Sequence, residues 1–259
     1  MKKIFLLIAF VATVVSAQAW NGVVDRAAYL IARKHMTKEA AAEYNRLWEL
    51  RKKVDYKWVA DKNAKVSLDA DLRSTTTCEK DVVVRIEKAV DVLRNSAKHT
   101  EKEQVEALET LRKLIVELHT ISRIAIEDIE YSQNDFEFTW SSNREGPSPD
   151  KRDKYENRGK LTWHKLWSSN FCFWHQGWSS EYYAYDIDLR FGRLREQAMQ
   201  GSVRDWAHQM GERAKPMYEW AEPGMLLRNE PRLNLEDVHL EMVARAGYRL
   251  AALLNQIVK

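Results

Sequence analysis

The chain has 259 residues, of which 45% are hydrophobic and 31% are charged. This balance is typical of a globular protein and excludes a disordered or fibrous chain, while only 9 Gly and 5 Pro argue against a loop-rich all-β fold. The formal net charge of +3 excludes the strongly basic balance by which some proteins attract nucleic acid through charge alone.

The first 19 residues have the pattern of a secretory signal peptide. Lys2 and Lys3 precede a short apolar run, and the small residues of a cleavage site follow at 17–19. The apolar run is too short to cross a membrane comfortably. We therefore expect a secreted or periplasmic protein, cleaved between Ala19 and Trp20, with a mature charge of +1 and no membrane span.

Helices are predicted through most of the first half, because no Gly or Pro occurs from Val23 to Glu145. Apolar residues at helical spacing predict one helix behind Trp20, a second over 82–93, a third over 105–126 and a last one over 235–259. A polar link is expected at 98–103. Gly247 and nearby alanines would let another helix approach the last helix closely. Residues 61–78 and 141–160 read as loops.

Aromatic residues crowd the second half. Seven of them follow spacings of three and four and would share one side of a continuous helix: Trp163, Trp167, Phe171, Trp174, Trp178, Tyr182 and Tyr185. We interpret these aromatic residues as part of the hydrophobic core. The alternative is that they form a platform on which bases or sugars stack. Cys78 and Cys172 would pair only if the fold brings them together.

Short catalytic motifs do not identify an enzyme class. The sequence has no HExxH, CxxC or GxSxG motif and no Walker loop. His119, near the buried face of its predicted helix, and His164, between two tryptophans, stand out by context. A histidine on an apolar face is usually a satisfied core residue, and the aromatic surroundings favour a metal site only modestly.

Six segments, in order along the chain, resemble the S1/P1 nuclease family. They are NGVVDRAAYLIARKHMTKEAA after Trp20, KWVADK, VELHTISR, GKLTWHKLW, VRDWAHQM and AGYRLAALLN, and they span essentially all of 20–259. The resemblance implies an all-α, single multi-helix domain of the phospholipase C/P1 nuclease type over residues 20–259. It also implies a secreted, zinc-dependent endonuclease or phosphodiesterase acting on single-stranded nucleic acid.

The resemblance implies zinc ligands, of which only some are retained. Suitable groups remain at four family positions, namely Trp20, Asp61, His119 and His164. Other family ligands are replaced by Asp25, Arg73, Arg123 and Ser168, and one family histidine has no counterpart. Asp25 could still coordinate a metal. Arg123 would put a fixed positive charge where a carboxylate should bridge two cations, so we expect at most one zinc ion, or none.

The two arginines at former ligand positions suggest a different role for the region of the expected zinc site. Guanidinium groups bind phosphates and carboxylates in a bidentate manner, so Arg73 and Arg123 are candidate anion-binding residues in a protein that does not hydrolyse its ligand. The simpler interpretation is that both arginines pair with nearby acids such as Asp61 or Asp128.

Three hypotheses about function follow. The first is an S1/P1 nuclease-like pseudoenzyme with a degraded zinc site that binds nucleotides, single-stranded nucleic acid or another anion. The second is an active phosphodiester hydrolase with an altered one- or two-metal site held by Asp61, His119 and His164, with Trp20 in support. The third is a non-enzymatic helical interaction module, which would show a large exposed aromatic patch at 163–185.

Overall fold

The computed structural model describes residues 22–56, 58, 61, 63–133, 136–140, 160–168, 178–227 and 229–257. Helices dominate this part of the chain: α1 (Gly22–His35), α2 (Lys38–Leu50), α3 (Val82–Arg94), α4 (Glu101–Leu118), α5 (Trp163–Ser168), α6 (Ser180–Phe191), α7 (Arg195–Ala198), α8 (Val203–Trp220) and α9 (Asn229–Ile257). The strands are short: β1 (Val66–Leu68), β2 (Ile124–Ile126), β3 (Glu137–Trp140), β4 (Lys160–Thr162) and β5 (Leu226–Leu227). The expected all-α class is confirmed at this level.

Two small sheets accompany the helices. β1 and β2 run parallel, with Val66 opposite Ile124. In the second sheet, β3 lies between β4, to which it is antiparallel, and β5, to which it is parallel. The predicted 61–78 loop therefore contains a strand, and the 141–160 loop lies outside the described residues except for Lys160 in β4.

Side-chain caps determine where several helices begin. Thr100 and Glu103 form a capping box at the start of α4, and Ser202 and Asp205 form another at the start of α8. The α4 helix thus begins inside the link expected at 98–103.

The end of α4 corrects the predicted third helix, which ran to residue 126. The helix ends at Leu118, and Ile126 lies in β2. His119 Nδ1 and Thr120 Oγ1 donate to the carbonyl oxygens of residues 115 and 116, at 2.6 and 2.8 Å. Because these side chains satisfy the last carbonyls of the helix, the backbone is free to leave the helical path.

The first and last described helices pack closely together. α1 packs against α9 and α6, while α4 packs against α3 and α9. A Cβ built on Gly247 of α9 would lie 2.7 Å from Ile31 Cβ and 2.8 Å from the Ala28 carbonyl oxygen of α1. The close approach predicted at Gly247 is therefore confirmed, and only glycine fits there.

The aromatic run divides between core and surface. Trp163 and Trp167 are fully buried, as the core interpretation requires. Tyr182 and Tyr185 of α6 are 52% and 62% exposed, so the core interpretation is wrong for them. α5 and α6 are separate helices, and Phe171 and Trp174 between them lie outside the described residues, as do Trp20 and the predicted signal peptide. None of the helices in the described ranges is long and apolar enough to span a membrane.

Candidate functional site

His119 occupies the buried end of α4. Its side chain is fully enclosed, its Nδ1 lies 2.6 Å from the Ile115 carbonyl oxygen, and its Nε2 lies 2.8 Å from Nη1 of Arg249 in α9. The carbonyl oxygen can only accept and the guanidinium can only donate. The ring therefore carries its proton on Nδ1, and the Nε2 lone pair that a metal would need is already used by an arginine.

The arginine that binds His119 has no accessible surface. Arg249 also donates from Nε to the Ala198 carbonyl oxygen at 3.2 Å and from Nη2 to Oε1 of Gln209, and its guanidinium lies 5.2 Å from the ring centre of Trp206. None of its partners in the described structure is a carboxylate. The protein thus buries a positive charge that is stabilised by neutral acceptors and an aromatic face.

Burial shifts the titration of both groups. Burial first, and then the charge of Arg249, hold the pKa of His119 well below its ordinary value, so the ring is neutral. Burial, followed by the charge of Arg245, lowers the pKa of Arg249, while the charge of Glu241 raises it. Because an arginine pKa starts far above neutrality, the guanidinium keeps its proton.

A cleft of about 730 Å³ lies near this buried pair, although neither His119 nor Arg249 belongs to its lining. Its lining comes from the segment before α3, from the α7–α8 region and from α8 itself: Arg73, Ser74, Gln197, Gln200, Gly201, Arg204, Asp205, His208 and Gln209. Gln209 belongs to the lining and also accepts from Arg249. This glutamine therefore connects the buried charge with the cleft.

Two polar groups at the cleft have unused hydrogen-bonding capacity. Since Oε1 of Gln209 faces Arg249, the two N–H groups on Nε2 are left, and no acceptor for them occurs in the described part of the chain. Ser74 is 6% exposed, and its Oγ has no hydrogen-bond partner within the same ranges. The Ser74 Oγ is buried, and an unsatisfied buried polar group is uncommon and costly, so it favours a binding role for this wall, whereas the half-buried Gln209 amide can also bond to water.

The segment that forms one wall of the cleft is held in a strained conformation. Leu72 has φ of 63°, a left-handed conformation that branched side chains seldom adopt, and its carbonyl oxygen accepts from His208 Nδ1 at 3.0 Å. Arg204 of α8 donates to the carbonyl oxygen of Ser74 at 2.6 Å and pairs with Glu87 through two 2.9 Å bonds. α8 therefore fixes the position of this wall.

The two predicted anion-binding arginines are used differently. Arg73 lines the cleft but pairs with Asp69 at 3.1 Å and Asp71 at 2.7 Å. Arg123 is buried outside the cleft lining and pairs with Glu117 at 2.7 Å. Pairing with acids was the simpler prediction and is what the structure shows, although the partners differ from the expected Asp61 and Asp128.

The other predicted metal ligands lie in separate surroundings. Asp25 pairs with Lys113 at 2.5 Å, Asp61 pairs with Arg85 at 3.2 Å, and His164 Nδ1 lies 3.0 Å from the Ser122 hydroxyl. Ser168 is buried in α5.

As arranged, these residues do not fit a zinc site. Where the chain is described, no group of three or more His, Cys, Asp or Glu residues could hold a metal ion. Trp20 lies outside the described residues, so the full ligand set stays a prediction. Among the described residues, Cys78 is an exposed free cysteine, and Cys172 lies outside them.

Sequence reasoning missed the residues that matter most at the cleft, namely Ser74, Arg204, Gln209 and Arg249. A signal for Arg249 was present, because it interrupts the apolar run at 246–254 of the last helix. An arginine on an apolar helix face is expected to have a buried partner. Its partners are distant in sequence, so the pattern alone could not identify them.

Comparison with known proteins does not place the chain in a family, since no protein-family model and no curated protein matches it. The function is therefore inferred from the buried pair together with the sequence resemblance.

Proposed function

We propose that this protein is a secreted or periplasmic relative of the S1/P1 nucleases, with the phospholipase C/P1 type of fold, that binds a small anion and does not hydrolyse phosphodiesters. The observation that carries the proposal is the 2.8 Å contact between Arg249 and Nε2 of His119. The resemblance makes His119 a zinc ligand, and in this chain the guanidinium of Arg249 donates to the nitrogen that would bind the metal.

The exchange of zinc for arginine keeps one property of the site and removes another. A guanidinium supplies a fixed positive charge that attracts an anion. It cannot lower the pKa of a bound water to generate a nucleophile, which is how zinc drives hydrolysis. A site with this substitution therefore keeps a buried positive charge but lacks the group that would generate a nucleophile for hydrolysis.

Pairing of the predicted zinc ligands Asp25 and Asp61 with Lys113 and Arg85 supports the same conclusion. Binding a metal through either carboxylate would displace a basic partner. A metal bound to His119 would also take one hydrogen-bond acceptor away from the buried Arg249, which is costly for a charged group.

The test is zinc-dependent hydrolysis by the mature protein. The protein is exposed to zinc and desalted, its metal content is measured by elemental mass spectrometry, and cleavage of single-stranded DNA and RNA is followed with and without zinc. We expect no zinc-dependent cleavage and no stoichiometric zinc that depends on His119. Cleavage that requires zinc and is lost in His119→Ala would overturn the proposal and establish the altered-metal hydrolase instead.

A further inference from the structure

We propose that the cleft beside α8 binds a neutral, hydroxyl-rich ligand of about the size of a disaccharide. The inference goes beyond the proposed function, because it concerns the surface cleft and not the buried pair of His119 and Arg249, neither of which lines the cleft. It gives the protein a second ligand, and that ligand carries no charge.

The two arginines of the cleft lining are already paired with acids. Arg73 pairs with Asp69 at 3.1 Å and with Asp71 at 2.7 Å. Arg204 holds Glu87 through two 2.9 Å bonds. An anion could bind these arginines only by displacing a carboxylate, and it would still lie close to several negative charges. The lining therefore disfavours an anionic ligand.

The carboxylate of Asp205 does not favour a cationic ligand either. Its Oδ2 accepts from the backbone N–H and the hydroxyl of Ser202, both at 2.7 Å, and so caps the first turn of α8. The positive end of the helix dipole offsets the charge of a carboxylate at this position. Its second oxygen, Oδ1, has no hydrogen-bond partner in the described part of the chain and is open to a donor.

The remaining hydrogen-bonding groups of the cleft are uncharged and unpartnered. Gln209 uses Oε1 to accept from Arg249, which leaves both N–H groups on Nε2. The exposed side-chain amides of Gln197 and Gln200 have no partner among the described residues. Ser74, in the same wall, is 6% exposed, and its Oγ also lacks a partner within those ranges. The cleft thus offers donors and acceptors side by side.

Hydroxyl groups match this mixture because each of them can donate and accept. One hydroxyl of a sugar ring can donate to Oδ1 of Asp205 while its neighbour accepts from a glutamine amide. A phosphate or carboxylate can only accept, and it would meet Asp205 as a like charge. An ammonium group can only donate, and it would leave the amide N–H groups unused.

The dimensions of the cleft suit a ligand of two sugar rings. Its volume of about 730 Å³ lies within the range typical of small-molecule sites and far exceeds that of a single ion. Gly201 keeps the approach to Asp205 open, because a Cβ at this glycine would lie 3.2 Å from Asp205 Cβ and 3.3 Å from its Oδ2.

The test uses calorimetry of the full mature protein with three neutral disaccharides that differ in the orientation of their hydroxyl groups, namely maltose, lactose and mannobiose. We expect saturable heat with at least one of them at millimolar concentration. Absence of heat with all three would overturn the inference.

A titration in the presence of inorganic phosphate tests whether the ligand is held without charge. We expect phosphate to leave the affinity for the disaccharide unchanged, since the cleft disfavours anions. Competition between phosphate and the disaccharide would show that positive charge holds the ligand, and it would overturn the assignment of a neutral site.

A matched set of variants locates the binding in the cleft. Gln197→Ala and Gln200→Ala together remove two exposed amides that form no bond within the described fold, so the double variant should fold as the parent does. We expect the affinity for the disaccharide to fall by about tenfold, because two hydrogen bonds to the ligand are lost. Gln256→Ala removes an exposed amide of α9 outside the cleft and should leave the affinity unchanged. Parent-like affinity in the double variant would contradict the proposed site.

Discussion

Burial in the core of this protein changes the pKa of single residues relative to the same groups in water. An ordinary histidine takes up a proton near pH 6.5, whereas His119 stays neutral because burial and Arg249 oppose a second positive charge. In the neutral form, its Nε2 accepts from Arg249. Protonation would turn this hydrogen bond into repulsion between two cations.

His119 should therefore make stability depend on pH in a defined direction. The pKa of the folded state lies below that of the unfolded state, so the unfolded chain binds the proton first as the pH falls. We expect the free energy of unfolding to decrease below about pH 6.5, with a slope of at most about 1.4 kcal/mol per pH unit from this group. Urea unfolding between pH 7.5 and pH 5 measures this decrease in the free energy of unfolding.

His119→Gln provides the comparison for that slope. Glutamine can accept from Arg249 and does not titrate, so the variant should lose this part of the pH dependence even if its stability is lower throughout. The same slope in His119→Gln and the parent would contradict a neutral buried His119.

At the scale of elements, the contact between α1 and α9 depends on one missing side chain. A Cβ at Gly247 would meet Ile31 and the Ala28 backbone, which leaves no room for a methyl group, and backbone atoms cannot rotate away. We expect Gly247→Ala to reduce the free energy of unfolding by about 1–3 kcal/mol because the helices must separate.

Urea denaturation of a second glycine variant supplies the control. A Cβ at Gly192, after α6, would have no atom within 4 Å, and its backbone does not require glycine. Gly192→Ala should be neutral or slightly stabilising, since alanine restricts the unfolded chain. Similar midpoints for Gly247→Ala and the parent would show that α1 and α9 are packed more loosely.

Helices whose apolar residues recur at helical spacing could be predicted from the sequence. Helix ends that depend on hydrogen bonds from polar side chains could not. The periods correctly indicated α1, α3, α9 and most of α4. The end of α4 was misplaced because His119 and Thr120 bind the last carbonyl groups, and an apolar period does not register such bonds. α2 was covered only by the general expectation of helices in the first half, and α8 was not predicted; α8 has many charged residues and contains Pro216.

The candidate site was less predictable than the fold, for a physical reason. Arg249 and His119 are 130 positions apart in the sequence, and the hydrogen bond between them exists only after α4 and α9 have packed. Arg73 was found through the family resemblance and does line the cleft. No local sequence pattern identifies Gln209 or Ser74. They stand out only because polar atoms of their side chains have no hydrogen-bond partner among the described residues.

At the scale of the whole molecule, Asp188 joins helices from both ends of the fold. This carboxylate of α6 accepts from Lys34 at 2.6 Å and His35 at 2.9 Å in α1, and from Tyr248 at 2.8 Å in α9. Burial raises the pKa of Asp188, but the three hydrogen bonds outweigh it and lower the pKa overall.

Loss of that carboxylate should affect the entire fold. We expect Asp188→Asn to lower the free energy of unfolding by about 2–3 kcal/mol, since asparagine cannot accept from three donors as a charged group does. The stability lost should be smaller at a pH low enough to protonate Asp188 in the parent.

Glu79→Gln removes an exposed pair with Lys88 and should leave the urea midpoint unchanged. A parent-like midpoint in Asp188→Asn would contradict a joining role.

The packing of α1 against α9 also has a consequence for how the protein is made. A ribosome adds about 5–20 residues per second, so α9 emerges on the order of 10–40 s after α1. During that interval, the apolar side of α1, with Val24, Ala27 and Ile31, lacks the partner that later buries it. The chain therefore cannot bury this side of α1 against α9 until α9 has been synthesised, and the exposed apolar residues need protection from aggregation in that interval.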